Sequence, residues 1–370
     1  MAVASVDARQ AIDLQGGTAP VGGMPAVLPG TPMPLPEAPP DILWSVPIAA
    51  APAFSPLIAG DYVLLSHRPG VIAAHRVTDG SRVWQIDLNP EQPLVADATM
   101  LFVASGEAVH ALRLADGAVA WRAPVGTMTA ALLAKDGWVV AASAGKLTAL
   151  RASDGTAVWT TEAPAQNEAA GISGNVLFVP SRDGYIRARD LRTGKAIWQT
   201  RLGGAPGEPL VVGDRVYLGA ADKGFYSLDA ASGEEHWRSR VGATIRGRAA
   251  TDGERVFFAA LDNMVRALDL GSGAQRWQVG LPFRPLTGPV VAGATVFVSS
   301  PDKDIRMLRA GDGRTAGGVV FPQQLAVAPG MRESEYGVAI AAITGSLEES
   351  WKLVLTRPVR ALPATASARK

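Results

Sequence analysis

Asp79-Gly80-Ser81-Arg82-Val83-Trp84 decides the fold, because the chain repeats it. The stretch returns as Asp116-Gly117-Ala118-Val119-Ala120-Trp121 and Asp154-Gly155-Thr156-Ala157-Val158-Trp159, and in softer form at Gly194…Trp198, Gly233…Trp237 and Gly273…Trp277. Each tryptophan follows its glycine by four residues, and successive tryptophans stand 37, 38, 39, 39 and 40 residues apart. A fixed step near 40 residues marks a repeat architecture. Six residues before the glycine stands Ala74, Ala111, Ala149, Ala188, Ser227 or Ala267; four before it stands Arg76, Arg113, Arg151, Asp190, Asp229 or Asp269. A seventh copy keeps Met307, Arg309 and Gly313 but has Gly317 where the tryptophan belongs.

The alanine side of each unit reads as a strand, as in Val71–Val77 and Ala108–Leu114. Asp-Gly, Thr-Gly and Ser-Gly are tight-turn dipeptides, since glycine takes a positive φ without a Cβ clash. A second strand carries the tryptophan. Farther upstream lies another hairpin, such as Pro56–Ala59, Gly60-Asp61 and Tyr62–Ser66. One repeat is thus four short antiparallel strands, the blade of a propeller, whose ring closure limits exposed sheet edges.

Trp44 lies 40 residues before Trp84 and is in register as an outermost strand, yet no strands precede it in its own blade. The missing three are read at the other end of the chain, as Gln324–Val327, Val338–Thr344 and Glu349–Thr356. The N-terminal strand therefore completes the blade begun by the C-terminus. This gives an all-β, eight-bladed β-propeller over residues 41–357; the alternative is seven blades plus a C-terminal cap. Residues 1–40 form a Pro/Gly-rich leader or tether, and residues 358–370 a disordered tail.

The run Ala188-Arg189-Asp190-Leu191-Arg192-Thr193-Gly194-Lys195-Ala196-Ile197-Trp198 resembles the signature of PQQ-like (pyrroloquinoline-quinone-type) propeller repeats. The resemblance covers residues 41 to 357. It implies that Trp44, Trp84, Trp121, Trp159, Trp198, Trp237 and Trp277 dock between the alanine of their own repeat and the turn of the next. Gly80, Gly117, Gly155, Gly194, Gly233 and Gly273 would form those turns. The family has a quinoprotein dehydrogenase branch and a non-catalytic branch of BamB-like outer-membrane assembly lipoproteins and other scaffolds. A dehydrogenase needs an aspartate base, hard-cation ligands, and an aromatic floor under the quinone. This chain has no cysteine for the vicinal disulfide many such enzymes carry, and no long insertion between blades. Trp138 and Trp351, outside the repeat register, read as strand residues. The expectation is no enzyme, no cofactor and no metal.

Composition excludes further classes. The net charge of +1 draws the chain to no nucleic acid. Zero cysteines rule out thiol catalysis, Cys-based zinc sites and Cys-borne lipid within this sequence. That is a departure from the lipid-anchored pattern of the BamB-like branch. His67, His75, His110 and His236 lack metal-ligand spacing. No run of 18 apolar residues is present for a transmembrane helix, and Met1–Gln15 shows no basic start followed by an apolar run.

What is left to act is surface. Loops leading into the innermost strands surround one channel mouth. Ala51-Pro52-Ala53 and Gly126-Thr127-Met128-Thr129 are small and bland. Glu168, Glu208, Arg246, Arg248, Phe283 and Arg284, from blades 4 to 7, form a mixed-charge, arginine-rich patch beside an aromatic, as a protein interface uses. The Arg76, Arg113, Arg151 to Asp190, Asp229, Asp269 series reads as local pairing between blades. By resemblance, the function is a protein–protein interaction scaffold on the periplasmic side of the cell envelope, tethered to or associated with the outer membrane. The alternatives are a docking subunit of another envelope complex and a degenerate quinoprotein or small-ligand sensor.

Overall fold

The computed structural model describes residues 37–361 other than 167, 286, 301, 335–336 and 347–349, and the rest of the leader and tail lies outside them. Each repeat is an antiparallel sheet of four strands, and there are eight such sheets. Blade 1 runs Leu57–Ala59, Tyr62–His67, Val71–Arg76 and Arg82–Asp87. Blades 2 to 7 follow in order, with outer strands Val119–Pro124, Ala157–Glu162, Ala196–Arg201, Glu235–Arg240, Gln275–Gly280 and Thr315–Val320. First strands of neighbouring blades touch one another, so they form the inner ring.

Blade 8 joins the two ends of the chain: Gly330–Ser334, Gly337–Thr344 and Lys352–Thr356 are completed by Ile42–Pro47. Eight sheets rule out seven blades plus a cap. The inner strand of blade 8 corrects the sequence reading. It is Gly330–Ser334, whereas Gln324–Val327 supplies only an isolated bridge from Leu325 to Thr344. The reason is close packing: a methyl group on Gly330 would collide with the Pro56 carbonyl of blade 1, so only glycine lets the two inner strands meet there. A second finding falls in the leader. Glu37–Ala38 adds to the outer strand of blade 7 as a fifth, parallel strand.

The core is divided among the seams. Middle strands are buried on both faces, as at Leu101, Phe102, Val103 and Ala104 with no exposure, because each blade is stacked between two neighbours. One cluster, for example, joins Phe102, Val109 and Ala111 of blade 2 to Val139, Ala141 and Leu150 of blade 3. Outer strands carry a bulge just before the tryptophan. Two residues oppose one there, which turns the indole inward and leaves Leu43, Val158 and Ile197 exposed.

The inward indole clamps the next blade. The ring N–H of Trp44, Trp84, Trp121, Trp159, Trp198 and Trp277 donates to the backbone carbonyl of Val77, Leu114, Ala152, Leu191, Ala230 and Ala310, at 2.7–3.0 Å. Each acceptor stands three residues before the next turn glycine. Those glycines have φ of 70–77°, and a methyl group on any of them would come within 3.0 Å of the indole. Glycine is thus required twice, for the turn and for the ring lying on it.

Candidate functional site

The loops leading into the inner strands of blades 4, 5 and 6 meet around one pocket. It has a volume of about 350 Å³, and Glu168, Gly207, Glu208, Ile245 and Arg246 are among its walls. Arg248 stands at its rim, with Nε 3.9 Å from Glu208 Oε1. Blade 6 presents both arginines through an irregularity. Its inner strand, Ile245–Thr251, loses register between Arg246 and Ala250. Gly247 sits there at φ 66°, its backbone against Gly288 of blade 7. A side chain at 247 would collide with that backbone, so the bulge is held by glycine contact and both arginines stay exposed.

The electrostatics are unbalanced. Burial pushes the Glu208 carboxyl above its ordinary range; Arg248 opposes the rise, and the neighbouring charge of Glu168 adds to it. Burial also raises Glu168, against the opposing charge of Arg246. Two partly desolvated carboxylates thus face two exposed guanidinium groups without close, bidentate pairing. Such a surface has unspent hydrogen-bonding capacity for a partner.

Of the six residues singled out in the sequence, four come together here: Glu168, Glu208, Arg246 and Arg248. Phe283 does not join them. It is 8% exposed and packs with Trp277, Leu281, Val296 and Val298 in the core between blades 6 and 7. Arg284 is exposed beyond the pocket walls. The bland reading of Ala51-Pro52-Ala53 needs correcting. Ala53 and Phe54 are one wall of a cavity of about 510 Å³ shared with Arg68, Asn89 and Glu91. The signal lay in Arg68-Pro69 and Asn89-Pro90, two polar-proline steps brought together by the pairing of Val71 with Asp87 within blade 1.

Arg113 and the three aspartates of the series make their contacts within their own turn rather than between blades. Arg113 reaches Asp116 at 2.7 Å. Asp79, Asp116 and Asp154 accept from the backbone N–H two residues on, at Ser81, Ala118 and Thr156. In blades 4 to 6 the roles move. Asp190, Asp229 and Asp269 cap the turn from the earlier position, accepting from the N–H and hydroxyl of Thr193, Ser232 and Ser272. Arg-x-x-Asp-Gly and Asp-x-x-[Thr/Ser]-Gly are two solutions to one hairpin, and Arg309…Asp312-Gly313 of blade 7 belongs to the first.

His75 is buried, with Nδ1 2.9 Å from the Gly80 carbonyl, and burial holds its pKa below the ordinary histidine value. His67 ends its strand and is buried rather than at the surface. No group of three His, Cys, Asp or Glu that could hold a metal is found among the described residues. Trp138 and Trp351 pack into the cores flanking blades 3 and 8, so every tryptophan is engaged between blades, except at the N–H of Trp237. The walls of the mouth pocket include no indole, and its donors do not fit a quinone lying on an aromatic floor.

The family model described as outer membrane protein assembly factor BamB matches residues 40–181 and 182–320. No curated protein sequence matches. Among solved structures, BamB from Moraxella catarrhalis superposes with a TM-score of 0.70 at 18% identity, covering 85% of this chain and 99% of that one. The computationally designed Ika8 protein gives 0.70 at 14% identity, with the same coverage of 85% and 99%. The quinohemoprotein alcohol dehydrogenase ADHIIG from Pseudomonas putida HK5 gives 0.63 at 13%, covering 89% and 78%. At such identities these structures share the fold, and a fold by itself does not imply a function.

Proposed function

The chain belongs to the BamB family of PQQ-like propellers, and from that membership we propose that it is a non-enzymatic protein-interaction scaffold of the bacterial cell envelope. It works on the periplasmic side, with residues 1–36 as a tether toward the outer membrane. Its partner is a protein of the outer-membrane assembly machinery. The observation that supports this reading is the mouth pocket, where inlet loops of three consecutive blades place Glu168, Glu208, Arg246 and Arg248 together. Arginines over a partly dry, carboxylate-lined recess are what a specific protein contact uses.

The test is a photo-crosslinker at Thr244, beside Arg246, in cells carrying the full chain. Crosslinks should form to outer-membrane assembly components and fall at least tenfold in the Arg246→Glu/Arg248→Glu variant. Crosslinks to a different envelope complex would make this a docking subunit of that machine. The quinohemoprotein neighbour motivates one competing reading, in which the chain is a degenerate quinoprotein. Thermal unfolding with PQQ and calcium decides it. Saturation at about 100 times the dissociation constant adds about 2.7 kcal/mol, and a matching upward shift would replace the scaffold reading.

A further inference from the structure

Seven of the eight seams between blades are clamped alike, each with a tryptophan of one blade lying on the turn glycine of the next. The seam from blade 7 to blade 8 is not. Blade 7 has Gly317 at the tryptophan position. Blade 8 offers no turn glycine, because its last two strands, Lys352–Thr356 and Ile42–Pro47, come from opposite ends of the chain. The loss of the indole and the loss of its seat coincide at one seam.

Three features stand in their place. Met307, opposite Gly317, replaces the alanine or serine that faces the tryptophan in blades 1 to 6. Beyond Thr356 the chain doubles back, and Val359 exchanges both backbone hydrogen bonds with Val338, at 2.8 and 2.9 Å. Val359 and Ala361 then pack in the cluster that holds Met307, Val319, Phe321 and Val338. From the other end, Glu37 pairs beside Gly318 and Ala38 beside Val319. Pro40 is buried, and the same strap continues into blade 8 as Ile42–Pro47.

The covered edge differs from most others. The outer strands of blades 1 to 6 each carry at least one charged residue, from Arg82 in blade 1 to Arg276 in blade 6. Thr315–Val320 and Ile42–Pro47 carry none. Charge on an outer strand discourages further pairing; covering an uncharged edge with another segment, or ending it in proline as at Pro47, serves the same end.

We propose that Glu37–Ala38 and Val359–Ala361 form a two-ended clasp that takes the place of the absent tryptophan, with the leader strand as its releasable half. Only two residues of that strand pair, and Ala38 is exposed. Lifting it bares the uncharged edge of blade 7 and loosens the blade 7–8 seam alone. The closure of the ring is thereby tied to whatever holds the leader.

Hydrogen exchange read by mass spectrometry tests this on the full chain and on a chain lacking residues 1–38. The shortened chain should show amides of Thr315–Val320 exchanging at least tenfold faster, with Ala157–Glu162 of blade 3 unchanged. Val359→Pro in the intact chain removes the N–H that bonds Val338. It should speed exchange in Gly337–Thr344 and Thr315–Val320 and nowhere in blades 2 to 5. A change below twofold in both variants, or one spread evenly over all eight blades, would overturn the clasp.

Discussion

The hydroxyl of Tyr217 donates to the backbone carbonyl of Leu270 at 2.8 Å. Leu270 stands three residues before Gly273, where the indole of Trp237 would donate by the pattern of the other seams. Trp237 Nε1 is instead buried without a partner. Blades 2, 4, 6 and 7 have Phe102, Phe178, Phe257 and Phe297 at the position of Tyr217, so the tyrosine hydroxyl has displaced a clamp bond.

Tyr217→Phe should therefore be tolerated. One neutral hydrogen bond is lost, and the Leu270 carbonyl is freed for the Trp237 N–H, which has the larger unmet cost. We expect a gain of up to about 1 kcal/mol in urea unfolding. A loss above about 1 kcal/mol would show that Trp237 cannot turn to the vacated carbonyl.

The turn glycines separate conformational cost from docking cost. Gly60 and Gly117 both have positive φ, of 54° and 72°. A methyl group at Gly60 meets nothing within 4 Å, whereas one at Gly117 runs into Trp84. Gly60→Ala should cost about 1 kcal/mol of backbone strain. Gly117→Ala should cost that and, through displacement of a buried indole, a total of about 3 kcal/mol or more. Equal losses in chemical denaturation would remove the indole from the account of the seam.

Two carboxylates should respond to pH with opposite sign. Glu208 is pushed up by burial, so folding favours its protonated form. Its contribution is most favourable below the ordinary glutamate pKa and fades as pH rises through the higher folded value. Asp269 is held well below the usual range by the Arg276 guanidinium and by Ser272. Its contribution is present above the ordinary aspartate pKa and is lost as pH falls toward the lower folded value. Glu208→Gln should thus gain on the parent chain between pH 4 and pH 7.5, while Asp269→Asn should lose ground on it between pH 2.5 and pH 4, where the unfolded aspartate titrates. Urea titrations at the two ends of each window give the sign of each.

The two hairpin solutions predict a coupled swap. Asp190→Arg removes the cap on Thr193, and Thr193→Asp sets two carboxylates close together. Together they recreate the Arg-x-x-Asp-Gly turn of blades 1 to 3. The double variant should recover most of the unfolding midpoint that each single variant loses. Additive losses would show that the two patterns are not interchangeable.

Much of this was legible before any contact was known. The Gly-to-Trp spacing, the step near 40 residues and the lone Trp44 already imply eight blades closed by the N-terminal strand. The mouth cluster was half legible. Glu168, Glu208, Arg246 and Arg248 could be placed on inlet loops by blade order, but Phe283 could not be sorted from them. An aromatic next to an arginine looks alike in sequence whether it faces solvent or a neighbouring blade.

The sequence by itself determined the repeat and the clamp residues and favoured eight blades over seven plus a cap, because turn conformation and strand alternation depend on neighbours a few positions apart. The tertiary structure alone decided three things. Glu208 is partly desolvated while Arg248 is exposed, Tyr217 takes the carbonyl meant for Trp237, and Glu37–Ala38 and Val359–Ala361 lie at the seam that lacks an indole. Each depends on groups brought together across blades, from 33 residues apart for Trp237 and Leu270 to more than 300 for Ala38 and Val359. Burial and hydrogen-bond competition at such distances exist only once the ring has closed.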